Sequence, residues 1–279
     1  MTDFPSELLT ALSSRLGVLE SDEPLPGDHG FVQAWLVKTS NGPVVTKRFR
    51  QPRAFQQSLH ALKTWGLSGT PRLLASLPEL QTLVMTAEEG TKVSTLLQQE
   101  QNIARCFEEA GRWCRRLHDA DHQDTDPMPL EKALQRRVQR RLRQARLWLN
   151  QAEWNIVQER LLSTPEALHQ PRCRCHLDFS PRNWLWSKEK GLRVLDFEHA
   201  RPDLCWMDLA PLAECNWFGY EQPFFAGYGA LSPSEQEALA WCTLFQALGT
   251  WIWGCRQKDE VYQKRGRQAL DRILSDEQM

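Results

Sequence analysis

The sequence lacks a long uninterrupted apolar run of the kind that crosses a membrane. Its most apolar segment, residues 239–255, is interrupted by Thr243, Gln246, Gly249 and Thr250, whereas a membrane-spanning helix needs about 20 apolar residues. The first residues include acidic side chains and have no apolar core like that of a secretory signal. We therefore expect a cytoplasmic protein with no membrane partner, in which residues 239–255 form a buried helix.

The sequence also lacks a strong net charge. Its 34 Lys+Arg and 35 Asp+Glu give a formal charge of −1, so no global field favours nucleic acid. Residues 132–146 are rich in arginine, which is compatible with phosphate binding. However, Leu134, Val138 and Leu142 recur at helical spacing, which favours a helix that packs one face on a core and exposes its arginines. We expect no nucleic-acid partner, and the oligomeric state stays open.

A cysteine framework is absent as well. The 8 cysteines are scattered along 279 residues, which is unlike a small disulfide-rich domain, so we expect reduced thiols. Cys173, Cys175 and His176 suggest metal ligands, but no second Cys/His pair stands at ligand spacing. The alternation of these residues favours a strand over a metal site.

Strand and helix patterns divide the chain into two parts. Residues 30–49 and 72–85 are predicted to form β-hairpins, with a helix at 53–65 between them. Later residues are predicted to be helical at 91–99, 101–120, 130–162, 206–218, 232–253 and 256–274, with strands returning at 173–197. The predicted fold class is α+β, with a β-rich lobe at residues 1–86, a hinge near 86–91 and a helical lobe within 87–279.

Three oxygen-bearing side chains in residues 176–198 meet the needs of phosphoryl transfer, which requires metal ions on the phosphates and an aligned acceptor hydroxyl. Asp178 would orient the hydroxyl and accept its proton. Asn183 would hold Mg²⁺ through its amide oxygen, and Asp196 would chelate the Mg²⁺ that bridges the phosphates. We expect a two-stranded ribbon to return Asp196 beside the loop that carries the other two.

The spacing distinguishes these residues from ordinary turn formers, which isolated Asp and Asn residues usually are. The interval from His176 to Asn183 equals that of the kinase catalytic loop H-R-D-L-x-x-x-N, and Asp196 precedes Phe197 as the aspartate of D-F-G precedes its phenylalanine. Several matches in one register favour a kinase-like site.

Residues 176–210 resemble the aminoglycoside phosphotransferase and choline kinase family, the small-molecule branch of the protein-kinase-like fold. Beside the loop, the resemblance is carried by the segments Asp196-Phe197-Glu198-His199-Ala200 and Asp208-Leu209-Ala210. It implies that His176 and Asp208 brace the loop structurally. From the residues alone, His176 is also a candidate acid or base.

Lys47 and Glu88 are predicted to contact the nucleotide. Lys47 ends the strand-like segment Val45-Thr46-Lys47, where kinases place the lysine that binds the α and β phosphates of the nucleotide. Glu88 lies in the predicted hinge segment. Gly27 and Gly30 flank a turn that would cover the nucleotide, although they do not form a G-x-G-x-x-G motif.

The sequence departs from the family pattern near Lys47. Residues 29–78 contain no Asp or Glu, so the helix glutamate that commonly pairs with this lysine is missing. Three possibilities remain for Lys47: a partner at Gln57 or Ser58, a partner at Asp196, or no partner at all.

Together these features predict a kinase that uses ATP or GTP and Mg²⁺ to phosphorylate a hydroxyl of a small molecule, such as an aminoglycoside-like antibiotic, an amino alcohol or a sugar metabolite. Eleven residues between Asp196 and Asp208 leave no room for a long peptide-docking segment. Asp203, Glu214 and Glu221 are candidate partners for a cationic acceptor, or ordinary surface charges. The alternative function is a catalytically weak pseudokinase that only binds nucleotide.

Overall fold

The computed structural model describes residues 19–25, 32–124 and 126–275, together with Pro5, Glu7, Leu8 and Leu12. It contains two compact units. The first comprises Met1–Glu100 with Pro181–Ala200, and the second comprises Gln101–Ser180 with Arg201–Met279. The functional boundary predicted at residues 86–87 stays a prediction. Gly27 and Gly30 lie outside the described residues.

The first unit is built on a five-stranded antiparallel sheet in the order β1-β2-β3-β5-β4. Its strands are β1 (Leu19–Leu25), β2 (Val32–Thr39), β3 (Gly42–Phe49), β4 (Leu73–Leu77) and β5 (Thr82–Thr86). Both predicted hairpins are confirmed. The turn between β2 and β3 is short, because Thr39 already pairs with Gly42 and leaves only Ser40 and Asn41 outside the ladder. Strand β1 was not predicted, since its sequence LESDEPL is mostly polar.

Helix α1 (Pro52–Thr64) confirms the helix predicted at residues 53–65, and it covers one face of this sheet. Phe55 of α1 packs with Phe49, Leu83 and Met85 of the strands. Because side chains alternate along a strand, Lys47 lies on the same face as Phe49. The opposite face forms a separate cluster, whose buried residues are Leu8, Leu12, Trp35, Val37, Val44, Leu77 and Val84.

A smaller three-stranded sheet completes the first unit. Its strands are β6 (Thr91–Lys92), β8 (Trp184–Ser187) and β9 (Gly191–Val194), in the order β6-β8-β9. Helix α2 (Val93–Gln98) follows β6, and a 3-10 turn at Pro181–Asn183 precedes β8. The strands predicted within 173–197 are therefore confirmed.

The second unit is helical. Its helices are α3 (Ala104–His118), α4 (Leu130–Ala145), α5 (Gln151–Leu162), α6 (Trp206–Glu214), α7 (Glu221–Tyr228), α8 (Pro233–Gln257) and α9 (Glu260–Ser275). A two-stranded antiparallel sheet joins β7 (Cys173–Cys175) to β10 (Arg201–Asp203). The buried helix predicted at 239–255 is confirmed within α8, and no helix in the described ranges is long and apolar enough to cross a bilayer.

Two predicted helices have different limits. Residues 130–162 form two helices, because Asn150 starts α5 by accepting a hydrogen bond from the Glu153 N–H in a capping box. The helix predicted at 206–218 ends at Glu214, and Trp217 and Phe218 then adopt positive φ angles of 51° and 52°. Such angles cannot continue a right-handed helix.

Helices α3 and α7 pack backbone against backbone at two glycines. A Cβ atom at Gly111 would overlap the carbonyl oxygen of Phe224, and one at Gly227 would overlap that of Glu108. Only glycine at both positions leaves room for the two backbones.

The arginine-rich helix α4 buries Leu134, Val138 and Leu142 as predicted, but not all of its arginines face solvent. Arg137 binds buried Asp203 through two hydrogen bonds of 2.8 and 2.9 Å. Arg141 lies over the Phe245 ring, 4.5 Å from its centroid, and burial lowers its pKa to about 10. The expectation of a wholly solvated arginine face is therefore wrong at these two positions.

Candidate active site

The β8–β9 ribbon brings Asn183 and the segment of Asp196 together within the first unit. Trp184 pairs with Val194, and one step further the Leu195 N–H donates to the Asn183 carbonyl oxygen at 2.8 Å. Asp196 is the next residue. The ribbon predicted from the spacing therefore does return Asp196 beside Asn183.

Asp196 has a backbone conformation that is uncommon for a residue with a side chain. Its φ angle is +70°, in the left-handed region, which Asp and Asn tolerate better than most residues do. Such conformations cost about 1–3 kcal/mol and cluster at functional sites. The strain singles out Asp196 among the ribbon residues.

Lys47 is paired with Asp196. Its Nζ lies 2.5 Å from Oδ1 of the carboxylate, and the two side chains are 17% and 27% exposed. Of the three possibilities that the sequence left open for this lysine, the structure therefore selects Asp196. Ser58 lies on α1 and is buried, but its hydroxyl has no hydrogen-bond partner within the described part of the chain.

Glu88 also has partners inside the first unit. Its carboxylate accepts a hydrogen bond of 3.0 Å from Nε of Arg193 in β9 and one of 2.6 Å from the Thr86 hydroxyl. The side chain thus ties the segment after β5 to the ribbon. The nucleotide contact of Glu88 stays a prediction.

In the second unit, a buried carboxylate anchors the loop that carries Asp178. Asp208 accepts hydrogen bonds from the backbone N–H groups of His176, at 2.8 Å, and Leu177, at 2.5 Å. Leu177 has a φ angle of +61°, so the chain bends sharply there. Asp208 is fully buried. This geometry supports the bracing role expected of Asp208.

His176 is held inside the same loop. It is fully buried, and its Nδ1 accepts the Asp178 N–H at 3.3 Å. The indole of Trp113 stacks on Phe179, with ring centroids 5.3 Å apart, and meets the His176 ring edge-on. A buried ring in such contacts favours the scaffold role of His176 over an acid or base role. Asp178 itself is half-buried.

His118 is a loop-bracing residue that the sequence analysis missed. Its Nε2 lies 3.1 Å from Oδ2 of Asp208, and its Nδ1 lies 2.9 Å from the Tyr228 hydroxyl. No spacing rule connects residues 90 positions apart along the chain. Only the packing of α3 against the loop reveals the contact.

Two of the three carboxylates considered for a cationic acceptor are buried in ion pairs. Asp203 binds Arg137 and Arg201, and Glu214 accepts a hydrogen bond of 2.9 Å from Arg265. Glu221 alone of the three is exposed, at the start of α7.

Comparisons with known proteins agree with this architecture. The sequence profile of the phosphotransferase enzyme family matches residues 23–241. No curated protein matches the chain by sequence.

Among solved structures, the GDP and kanamycin complex of APH(2")-IIia has a TM-score of 0.75 at 14% identity, with 98% of this chain and 99% of that chain covered. The streptomycin-ATP-APH(2")-IIa ternary complex has a TM-score of 0.68 at 15% identity, with 98% of this chain and 97% of that chain covered. The choline kinase LicA from Streptococcus pneumoniae has a TM-score of 0.67 at 18% identity, with 97% of this chain and 99% of that chain covered. These similarities confirm the predicted α+β, protein-kinase-like fold class.

Proposed function

Because the chain belongs to the phosphotransferase enzyme family, we propose that it moves the γ-phosphoryl group of a nucleoside triphosphate onto a hydroxyl of a small molecule. The observation that carries the proposal is the Lys47–Asp196 pair beside Asn183. One unit thereby presents an ammonium group and two hard oxygen ligands together. Phosphoryl transfer depends on this combination, because its catalysis is mostly positioning and charge stabilisation.

The donor set fits Mg²⁺. Asn183 offers an amide oxygen and Asp196 a carboxylate, and Mg²⁺ prefers oxygen ligands of this kind. The backbone hydrogen bond between Leu195 and Asn183 supports a fixed position for both. When bound, the ion would neutralise charge that develops on the phosphates. Lys47 would contact the phosphates directly.

Asp178 is the proposed proton acceptor for the hydroxyl. It follows the His176–Leu177 segment that Asp208 anchors, so its backbone is fixed on the N-terminal side. A half-buried carboxylate on a braced loop is suited to orienting an acceptor, because a general base must stand within hydrogen-bond reach of its proton.

The acceptor class is proposed from the solved relatives. Two of them are complexes with kanamycin and streptomycin, and a third is a choline kinase. We therefore propose a hydroxyl-bearing amine or sugar as the acceptor. A protein substrate is disfavoured, because β10 and α6 occupy most of the short segment after Ala200.

The test is consumption of ATP and of GTP with Mg²⁺ in the presence of a panel of amino sugars, amino alcohols and sugars. Asp178→Asn, which keeps the size of the side chain, should lower turnover by about 10²–10⁴-fold and leave nucleotide binding intact. Binding of nucleotide without turnover across the whole panel would instead favour a pseudokinase. If Asp178→Asn retains more than half of the wild-type activity, Asp178 is not part of the mechanism.

A further inference from the structure

Two thiols on strand β7 lie side by side in the second unit. Cys173 and Cys175 are two residues apart, so an extended strand points both side chains to one face. Their sulfur atoms are 3.5 Å apart. Cys175 is fully buried and Cys173 is half-buried.

A histidine from a distant part of the sequence completes a compact group. A ring nitrogen of His118, at the end of α3, lies within 4.8 Å of both sulfur atoms. The His118 side chain is only 4% exposed. Three soft or borderline ligand atoms therefore converge from α3 and β7.

The spacing of these atoms suits a tetrahedral zinc ion. Zinc lies about 2.3 Å from thiolate sulfur and about 2.0–2.1 Å from imidazole nitrogen, which puts two ligated sulfurs about 3.8 Å apart. The observed separation between Cys173 and Cys175 differs from that value by a few tenths of an ångström. A small adjustment of either side chain would thus accommodate the ion.

We propose that Cys173, Cys175 and His118 form a binding site for Zn²⁺, with the fourth coordination position left to water. The site is distinct from the magnesium ligands of the proposed active site, which are hard oxygen donors in the other unit. Zinc would take one ring nitrogen of His118 and release one of its present hydrogen-bond partners, Asp208 or Tyr228.

A disulfide explains the same thiols less well. Residues two apart on an extended strand have Cα atoms about 6.6 Å apart, near the upper end of the range that a disulfide spans.

The experiment is a titration of the full, reduced chain with Co²⁺, followed by displacement with Zn²⁺. Thiolate ligands give cobalt a strong charge-transfer absorption, which reports the site without any measurement of phosphoryl transfer. We expect one Co²⁺ per chain, displaced by Zn²⁺. Cys173→Ser should weaken Zn²⁺ binding by more than about 10-fold, the smallest loss usual even for an outer-shell partner.

Cys255→Ser is the matched control, because Cys255 is also half-buried but lies in α8 outside the group. It should leave binding unchanged. The Cys173→Ser variant is at a half-buried position and is compared with the wild type by circular dichroism before titration. Absence of the thiolate band in the wild type, or a band of equal strength in Cys173→Ser, overturns the site. Either result leaves the proposed phosphotransferase activity untouched.

Discussion

Nζ of Lys47 and Oδ1 of Asp196 are 2.5 Å apart. The ammonium group that we propose for phosphate binding is therefore paired with a carboxylate that we propose as a magnesium ligand. The pairing substitutes for the helix glutamate that the sequence lacks. It also means that nucleotide with Mg²⁺ must share or replace this contact. Both residues should therefore affect nucleotide binding, each in a distinguishable way.

Lys47→Ala should lower nucleotide affinity by about tenfold or more, equivalent to about 1.4 kcal/mol, because a charge-assisted contact to phosphate is lost. Calorimetric titration with ATP and Mg²⁺ measures the change. Lys63→Ala is the control, since Lys63 is an exposed lysine in the last turn of α1. Equal affinities for wild type and Lys47→Ala would make Lys47 a structural partner of Asp196 and nothing more.

Asp196→Asn should remove the magnesium dependence of nucleotide binding. Asparagine tolerates the left-handed backbone conformation of this position, so the variant should fold. Loss of the carboxylate weakens the metal ligand without changing the size of the side chain. Titrations with and without Mg²⁺ provide the measurement, and Asp178→Asn should keep the wild-type dependence. If nucleotide binding by Asp196→Asn depends on Mg²⁺ as strongly as binding by Asp178→Asn does, Asp196 is not a magnesium ligand.

Ser58→Ala should stabilise the chain by about 1 kcal/mol, because the buried hydroxyl has no hydrogen-bond partner in the described structure and alanine removes an unsatisfied group. Chemical denaturation measures the free energy of unfolding. Ser234→Ala, at a half-buried helical serine, controls for helix propensity alone. Ser58→Glu should destabilise instead, because it buries a carboxylate. Destabilisation by Ser58→Ala would mean that the hydroxyl is satisfied after all.

Arg137→Met should destabilise the second unit by about 3 kcal/mol, because it removes a main partner of buried Asp203. Burial alone would raise the pKa of Asp203, but Arg137 and Arg201 outweigh it and hold the pKa below the ordinary 3.8. The Arg137–Asp203 pair therefore contributes fully to the free energy of unfolding above the ordinary pKa of 3.8. This contribution is lost as the pH falls through the lowered pKa of Asp203.

The difference in unfolding free energy between wild type and Arg137→Met should accordingly shrink below about pH 4. Denaturation at several pH values measures it. Arg143→Met, an exposed arginine on the same helix, should change stability by less than about 0.5 kcal/mol at any pH. A constant difference down to acidic pH would show that packing, not charge, gives Arg137 its effect.

The sequence predicted the parts of the candidate site that depend on local spacing. The interval between Asn183 and Asp196 predicted a two-stranded ribbon, and the β8–β9 ribbon forms between them. The α+β class followed from periodicity, and the protein-kinase-like fold followed from the family resemblance that the motif carries. His118 could not be found this way, because its contact with Asp208 depends on how α3 packs, which no short spacing records.

Exposure was the other limit of sequence reasoning. Ser58 reads as a polar helix position, yet the helix turns it toward the sheet and buries it. Arg141 belongs to a run of arginines that resembles a solvated face, but an aromatic ring in α8 covers its guanidinium group. In both cases a neighbouring element decides the environment, and a single helix pattern contains no information about that neighbour.

The crossing of α3 and α7 restricts how this chain can diverge. A side chain at Gly111 or at Gly227 would strike backbone oxygen atoms, which cannot move aside as a flexible side chain can. A second substitution elsewhere on either helix does not remove that collision, since the atoms struck belong to the backbone. Every descendant that keeps these helices at their present separation must therefore inherit both glycines, while neighbouring positions are free of this restriction.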